Sequence, residues 1–258
     1  MSEEHLWIRR FRPCPDDAPR LICFPHAGGA ASHYFTLSRQ LEPRIEVLAV
    51  QYPGRHDRRR EPCVTTIAEL TEHVHTAIGG LTDRPFAFFG HSMGAVIAYE
   101  VARRLQDRGE PLPLRLFASG RRAPSTHRTD LLHLRDDAGL IADMVAAGGT
   151  DPRLLRDEEL LADIVRVARN DYRAIETYSW TPGPPLRCPI TALTGDADPK
   201  TTLDEASAWG RHCTQGFDLI TFSGGHFYLD TAWANIAEIV SAGLGAACRT
   251  DQLKGRAT

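Results

Sequence analysis

Residues 88–96 read Phe-Phe-Gly-His-Ser-Met-Gly-Ala-Val, and the reading of the whole chain turns on them. An apolar run climbs to Gly90, a Gly-x-Ser-x-Gly follows, and Ala95-Val96-Ile97-Ala98-Tyr99 continue like a helix. A serine held between a strand and a helix sits on a strained turn that pushes its hydroxyl out of the sheet edge. Gly90 and Gly94 are small enough for strand and helix to approach closely. The N–H of Met93, at the helix start, is free to donate to a developing oxyanion. Ser92 is therefore the candidate nucleophile. The remaining chain must supply a base, an acid and a second oxyanion donor.

The surroundings of the motif predict the fold. Residues 20–24, 45–50, 85–90, 114–120, 190–195 and 217–222 read as buried-type strands, and residues 5–11 as a short first strand. Helical spacing fills the gaps, for example Ile67, Leu70, Val74 and Ile78 before Gly79-Gly80. Alternating strands and helices imply an α/β fold: a mostly parallel sheet covered by helices on both faces, with ligands bound beyond the strand C-termini. The alternation lapses between residues 121 and 186, where only helical segments near 138–147 and 158–178 appear. Residues 1–120 and 187–248 thus form the expected core, 121–186 a helical lid inserted at the ligand edge, and 249–258 a frayed tail.

Size and composition fit one soluble domain. The chain has 258 residues, 42% hydrophobic and 24% charged, with a net charge of −3. That charge argues against nucleic acid as a partner. No apolar run is long enough for a membrane span, and the acidic start lacks a secretion signal. The six cysteines are scattered without a Cys-x-x-Cys pair, which suits reduced thiols in the cytoplasm and no metal.

Among eleven histidines, His226 in Thr-Phe-Ser-Gly-Gly-His-Phe-Tyr-Leu is the candidate base, because it follows the last strand in a glycine-rich loop. His26 and His91 lie near the site, but at positions where backbone geometry is the expected role. The acid comes from Leu-Thr-Gly-Asp-Ala-Asp-Pro, which offers Asp196 and Asp198, and Asp198 is favoured as farther from the strand end. The chain order Ser…Asp…His is that of α/β-hydrolases. Phe-Pro-His-Ala-Gly-Gly-Ala after the strand 20–24 offers the second oxyanion donor, Ala27 or its neighbour Gly28.

These segments, together with Val-Gln-Tyr-Pro-Gly-Arg-His-Asp-Arg-Arg-Arg-Glu-Pro at 50–62, resemble the type II thioesterases of polyketide and nonribosomal peptide synthesis over residues 20–245. His56 stands where a small residue is common in that family. The resemblance implies hydrolysis and editing of acyl groups on the phosphopantetheine arm of acyl or peptidyl carrier proteins. It implies catalysis by Ser92, Asp198 and His226, with Ala27 and Met93 as oxyanion donors. It needs no cofactor beyond the pantetheine carried by the partner, and a monomer is expected. Carrier docking helices are usually acidic in such systems, so Arg55, Arg58, Arg59 and Arg121 are candidate carrier or substrate contacts. Two rivals share the triad: a medium-chain fatty acyl thioesterase, and a carboxylesterase or lipase acting on oxoesters.

Overall fold

The computed structural model describes residues 6–149 and 157–254. Among the described residues seven strands form one sheet in the order β1-β3-β2-β4-β5-β6-β7. They are β1 (Ile8–Arg10), β2 (Arg20–Phe24), β3 (Glu46–Val50), β4 (Phe86–His91), β5 (Leu116–Ser119), β6 (Ile190–Gly195) and β7 (Phe217–Phe222). Only β1 runs antiparallel, along the edge of β3. The central register pairs Phe24 with Gly90 and His91 with Ser119. The loops that leave β2, β4 and β5 therefore emerge at one level of one edge.

The strands are apolar on both faces because helices cover both. Ile22, Phe24, Leu48, Val50, Phe86 and Phe88 pack with α2 (Ile67–Ile78) and α3 (Met93–Arg108). Leu21, Cys23, Val47, Ala49, Ala87 and Phe89, one residue out of phase, pack with α1 (Phe35–Leu41) and α7 (Leu229–Lys254). This alternation is the period-two geometry of a strand turned into two cores. Each leucine- or phenylalanine-sized side chain so buried contributes roughly 1.5–3 kcal/mol. Local signals set the helix ends: the Thr66 hydroxyl accepts from the Glu69 amide at the start of α2, and α3 stops at Gly109 with φ 69°. α7 continues to Lys254, past Arg249, where the sequence reading starts a tail.

Between β5 and β6 the described residues contain helices and no strand: α4 (Asp137–Ala147) and α5 (Glu158–Glu176), each capped by the preceding aspartate. Leu132, Leu140, Val165 and Ala168 make a small separate core here, joined by Ile141, Met144, Leu161 and Tyr172. Leu131, Leu134, Val145 and Leu160 stay exposed, and Leu154 and Leu155 lie outside the described residues. The short α6 (Leu203–Ser207) starts with a capping box from Thr202 and Glu205. No helix among the described residues is long and apolar enough to cross a membrane.

Candidate active site

Ser92 occupies the turn between β4 and α3 with φ 53° and ψ −116°. A non-glycine residue in that conformation is strained, by about 1–3 kcal/mol, and persists only where its surroundings hold it. Here the Ser92 amide donates to the Ser119 carbonyl at 2.8 Å, and its carbonyl accepts from the Ala95 amide at 3.1 Å. The flanking glycines are obligatory. A Cβ on Gly94 would lie 2.0 Å from the Phe24 carbonyl oxygen, and one on Gly90 would lie 2.3 Å from that of Gly94.

His226 and Asp198 meet beside it. The imidazole Nδ1 lies 2.9 Å from Oδ2 and 3.1 Å from Oδ1 of Asp198, whose Oδ1 also accepts from the Lys200 amide at 2.8 Å. Both side chains are buried, so the pair is little screened. Asp196 does other work: its Oδ1 accepts from the Gly224 amide at 2.9 Å, and the Ala197 amide donates to the Gly224 carbonyl at 2.9 Å. The acid's loop and the histidine's loop are thereby laced together. Ser92, His226, Ala27, Arg121 and Tyr172 line one small cavity at the sheet edge.

Of the two predicted oxyanion donors, Met93 follows Ser92 in the chain and Ala27 lines the same cavity. Met93 opens α3, and its amide has no acceptor among the described residues. In the loop after β2 the Gly29 amide donates to the His26 carbonyl at 2.9 Å, and the Gly28 amide donates to Oδ2 of Asp171 at 2.8 Å. Gly28 is thus spent, and the Ala27 amide is left without a protein acceptor among the described residues.

Behind the cavity stands a cluster of imidazoles, His91 and His226 buried and His26 and His33 partly so. His91 Nδ1 lies 2.9 Å from the Ser119 hydroxyl, which lies 2.7 Å from the Tyr228 hydroxyl. Its ring is 5.0 Å from that of His226 and 5.8 Å from that of His26, with His33 4.7 Å from His26. Burial pushes His26 and His91 well below the ordinary histidine range and His33 to about 4. These rings pack against one another beside His226, and burial disfavours their charged forms.

The arginine reading needs correction. Arg55 is buried: its guanidinium forks onto Asp171 at 2.6 and 2.9 Å and donates to the Gly29 carbonyl at 3.1 Å. Burial pulls its pKa down, but the Asp171 charge outweighs that and leaves it raised. Arg58 is also buried; it donates to the Gln51 carbonyl at 2.9 Å, pairs with Glu61 at 2.6 Å, and stacks over Trp7. Neither side chain is free to meet a carrier protein. Arg59 is exposed. Arg121 lines the catalytic cavity, and its guanidinium has no carboxylate partner among the described residues. Burial and the neighbouring Arg122 pull it down to about 9.

A second cavity, of about 340 Å³, opens on the other side of Ala27 and Tyr172. Met144, Ala147, Leu160, Ile164 and Phe227 make it largely apolar. Sequence reasoning missed Asp171, although a signal existed. Ala168, Asp171 and Ile175 share one face of α5, so the carboxylate falls in the buried phase of an amphipathic helix, where it needs a partner.

The comparisons with known proteins place the chain in one family. The thioesterase domain model matches residues 19–244. The chain is 48% identical over 237 residues to thioesterase PikA5 of Streptomyces venezuelae, covering 92% of this chain and 84% of that one. It is 35% identical to the gramicidin S biosynthesis protein GrsT of Aneurinibacillus migulanus, over 81% and 82% of the two chains. The solved type II thioesterase BorB from the borrelidin biosynthetic cluster superposes with a TM-score of 0.87 at 47% identity, covering 95% of this chain and 99% of that one. The chain belongs to the thioesterase domain family. It is a type II thioesterase with the α/β-hydrolase fold, a thioester hydrolase of the serine-hydrolase type.

Proposed function

We propose that the protein hydrolyses acyl groups from the phosphopantetheine arm of acyl or peptidyl carrier proteins in polyketide or nonribosomal peptide biosynthesis, clearing stalled or wrongly loaded units. The observation that carries the reading is the strained Ser92 sharing one cavity with the buried His226–Asp198 pair. Relatives named for cadicidin biosynthesis and gramicidin S biosynthesis support the biosynthetic setting.

Ser92 Oγ attacks the thioester carbonyl while His226 Nε2 takes its proton. Asp198 holds Nδ1–H, so that Nε2 is the basic nitrogen, and stabilises the imidazolium. The Met93 and Ala27 amides receive the oxyanion, each worth about 3 kcal/mol to the transition state. The departing thiol has a pKa near 8.5, so it leaves with little proton assistance. Water activated by the same imidazole then cleaves the acyl-enzyme. The apolar cavity between Ala27 and Phe227 takes the acyl chain. Arg121 meets polar groups of the arm, and the exposed Arg59 steers the acidic carrier.

A panel of acyl groups loaded on a carrier protein, with matched oxoesters, tests the reading. Native protein should release carrier-bound acyl groups faster than it cleaves the oxoesters, and Ser92→Ala should release none above background. Faster oxoester cleavage, or hydrolysis that survives Ser92→Ala, would refute it.

A further inference from the structure

Some of the polar contacts of α5 fall on the two loops that leave β2 and β3 at the catalytic edge. Asp171 Oδ2 accepts from the Gly28 amide at 2.8 Å and from Arg55 Nη1 at 2.6 Å, while its Oδ1 accepts from Arg55 Nη2 at 2.9 Å. Arg55 Nη1 also donates to the Gly29 carbonyl at 3.1 Å. The loop that carries Ala27 is therefore held by its next two residues, one through an amide and one through a carbonyl. Around this clamp, Asn170 Nδ2 donates to the Val64 carbonyl at 2.7 Å and Arg166 Nη2 to the Gly54 carbonyl at 3.1 Å. Gly28 lies against Ala168 of the same helix, and its φ of 77° is a conformation that favours glycine. Asp171 is 1% exposed and Arg55 6%.

Two consequences follow from these contacts. The Gly28 amide is engaged, which leaves the neighbouring Ala27 amide as the one available to the cavity it shares with Ser92. The engaging carboxylate belongs to the inserted helix rather than to the sheet. We propose that Asp171, locked by Arg55, is a positioning residue for the oxyanion hole: it sets the loop so that Ala27 N–H faces the space above Ser92, and the hole is complete only while α5 is seated. This deepens the thioesterase reading and rests on it. The inserted helix then does more than cover the substrate, because lifting it releases Gly28 and opens the oxyanion loop. Chemistry is coupled to closure, and an acyl group that props α5 away is hydrolysed slowly even when it binds well.

The test uses the full chain with acyl-N-acetylcysteamine thioesters and an alkyl boronic acid, whose tetrahedral serine adduct places a negative oxygen in the hole. Asp171→Ala should lower kcat by about 10²-fold, the scale of an ångström-sized misplacement of a catalytic group. KM should stay within about 3-fold, because ground-state binding does not use the hole. Boronate affinity should fall in parallel with kcat. Asp171→Asn keeps an oxygen for the Gly28 amide and should recover at least about 10-fold of the kcat lost. Should Asp171→Ala fail to fold, Asp171→Asn against Arg55→Lys carries the same comparison. The asparagine keeps an acceptor for the Gly28 amide but only one arm of the fork, and the lysine keeps the carboxylate without the fork, so both should fall below native kcat. Unchanged kcat in these variants overturns the proposal. So does a fall in kcat with undiminished boronate affinity, or an asparagine variant no faster than alanine. Failure of the native protein to hydrolyse any thioester would instead overturn the functional reading beneath it.

Discussion

Replacing Asp198 by asparagine distinguishes an orienting acid from a nearby carboxylate, and the hydrogen bonds around it decide the outcome. Asp198 Oδ1 accepts from the Lys200 amide at 2.8 Å, and Oδ2 lies 2.9 Å from His226 Nδ1. The Lys200 amide can only donate, so the asparagine must turn its oxygen toward Lys200 and its NH₂ toward the imidazole. An NH₂ at 2.9 Å makes Nδ1 the acceptor and moves the ring proton to Nε2, the nitrogen that must take the proton of Ser92. The base is lost while its geometry survives, a defect worth about 10⁴ in kcat where it has been measured in serine hydrolases. Asp196→Asn is the control. Its oxygen can still accept from the Gly224 amide, so it should cost only a few-fold. Thiol release from acyl-N-acetylcysteamine, followed with a chromogenic disulfide at saturating substrate, gives both numbers. An Asp198→Asn enzyme within about 10-fold of native, or slower Asp196→Asn than Asp198→Asn, would refute the argument.

Gly94→Ala places a Cβ 2.0 Å from the Phe24 carbonyl oxygen and 2.7 Å from that of Pro25, both backbone atoms. It should lower stability by about 2 kcal/mol or more and kcat with it; a native melting temperature would count against the close approach. His33 is held near pKa 4 by burial, against an ordinary value of 6.5. The unfolded chain therefore binds a proton that the folded chain refuses between those values. Stability is full above about pH 6.5 and falls as pH drops toward 4, with about 2 kcal/mol lost from His33 between pH 7 and 5. His212, also near 4, acts in the same direction, and urea midpoints that do not move over this range would contradict it. Arg58→Ala should lower the melting temperature, through lost bonds to Gln51 and Glu61 and lost stacking on Trp7. Arg59→Glu should leave it unchanged while raising KM for carrier-borne acyl groups but not for small thioesters; equal effects on both substrates would exclude docking.

The strained turn at Ser92 was legible in the sequence because its requirements are local: two glycines, a strand before and a helix after. The sheet was legible for the same reason, since strands buried on both faces leave long apolar runs. The acid was legible only as a choice between Asp196 and Asp198. Both lie in the same loop, and their roles separate only when the Gly224 amide claims one of them. The arginines at 55 and 58 were misread for a physical reason. A run of positive charge in a loop looks solvated unless its counter-charge is known. For Arg55 that counter-charge is Asp171, 116 residues away. Spacing along the chain carries no trace of such a pair, but a carboxylate in the apolar phase of α5 does, and it should prompt a search for a buried arginine.

The insertion divides its work between two sides. The small core between α4 and α5 is built on Leu132, Leu140, Val165 and Ala168, and Leu131, Leu134, Val145 and Leu160 remain exposed. Side chains there can change volume with little loss of folding energy, because few of them are packed on all sides. The inner face of α5 has no such freedom. Asp171 and Asn170 reach loops of the catalytic edge, and losing one partner of the buried Asp171–Arg55 pair would cost about 3–5 kcal/mol. Acyl preference can therefore be altered through the apolar wall contributed by Met144, Ala147 and Leu160 while the oxyanion loop stays clamped. A substitution such as Leu160→Ala should shift the relative kcat/KM of long and short acyl groups and leave the best attainable kcat nearly intact. If it lowered kcat equally for every acyl group, the wall and the clamp would be one unit and this division would be wrong.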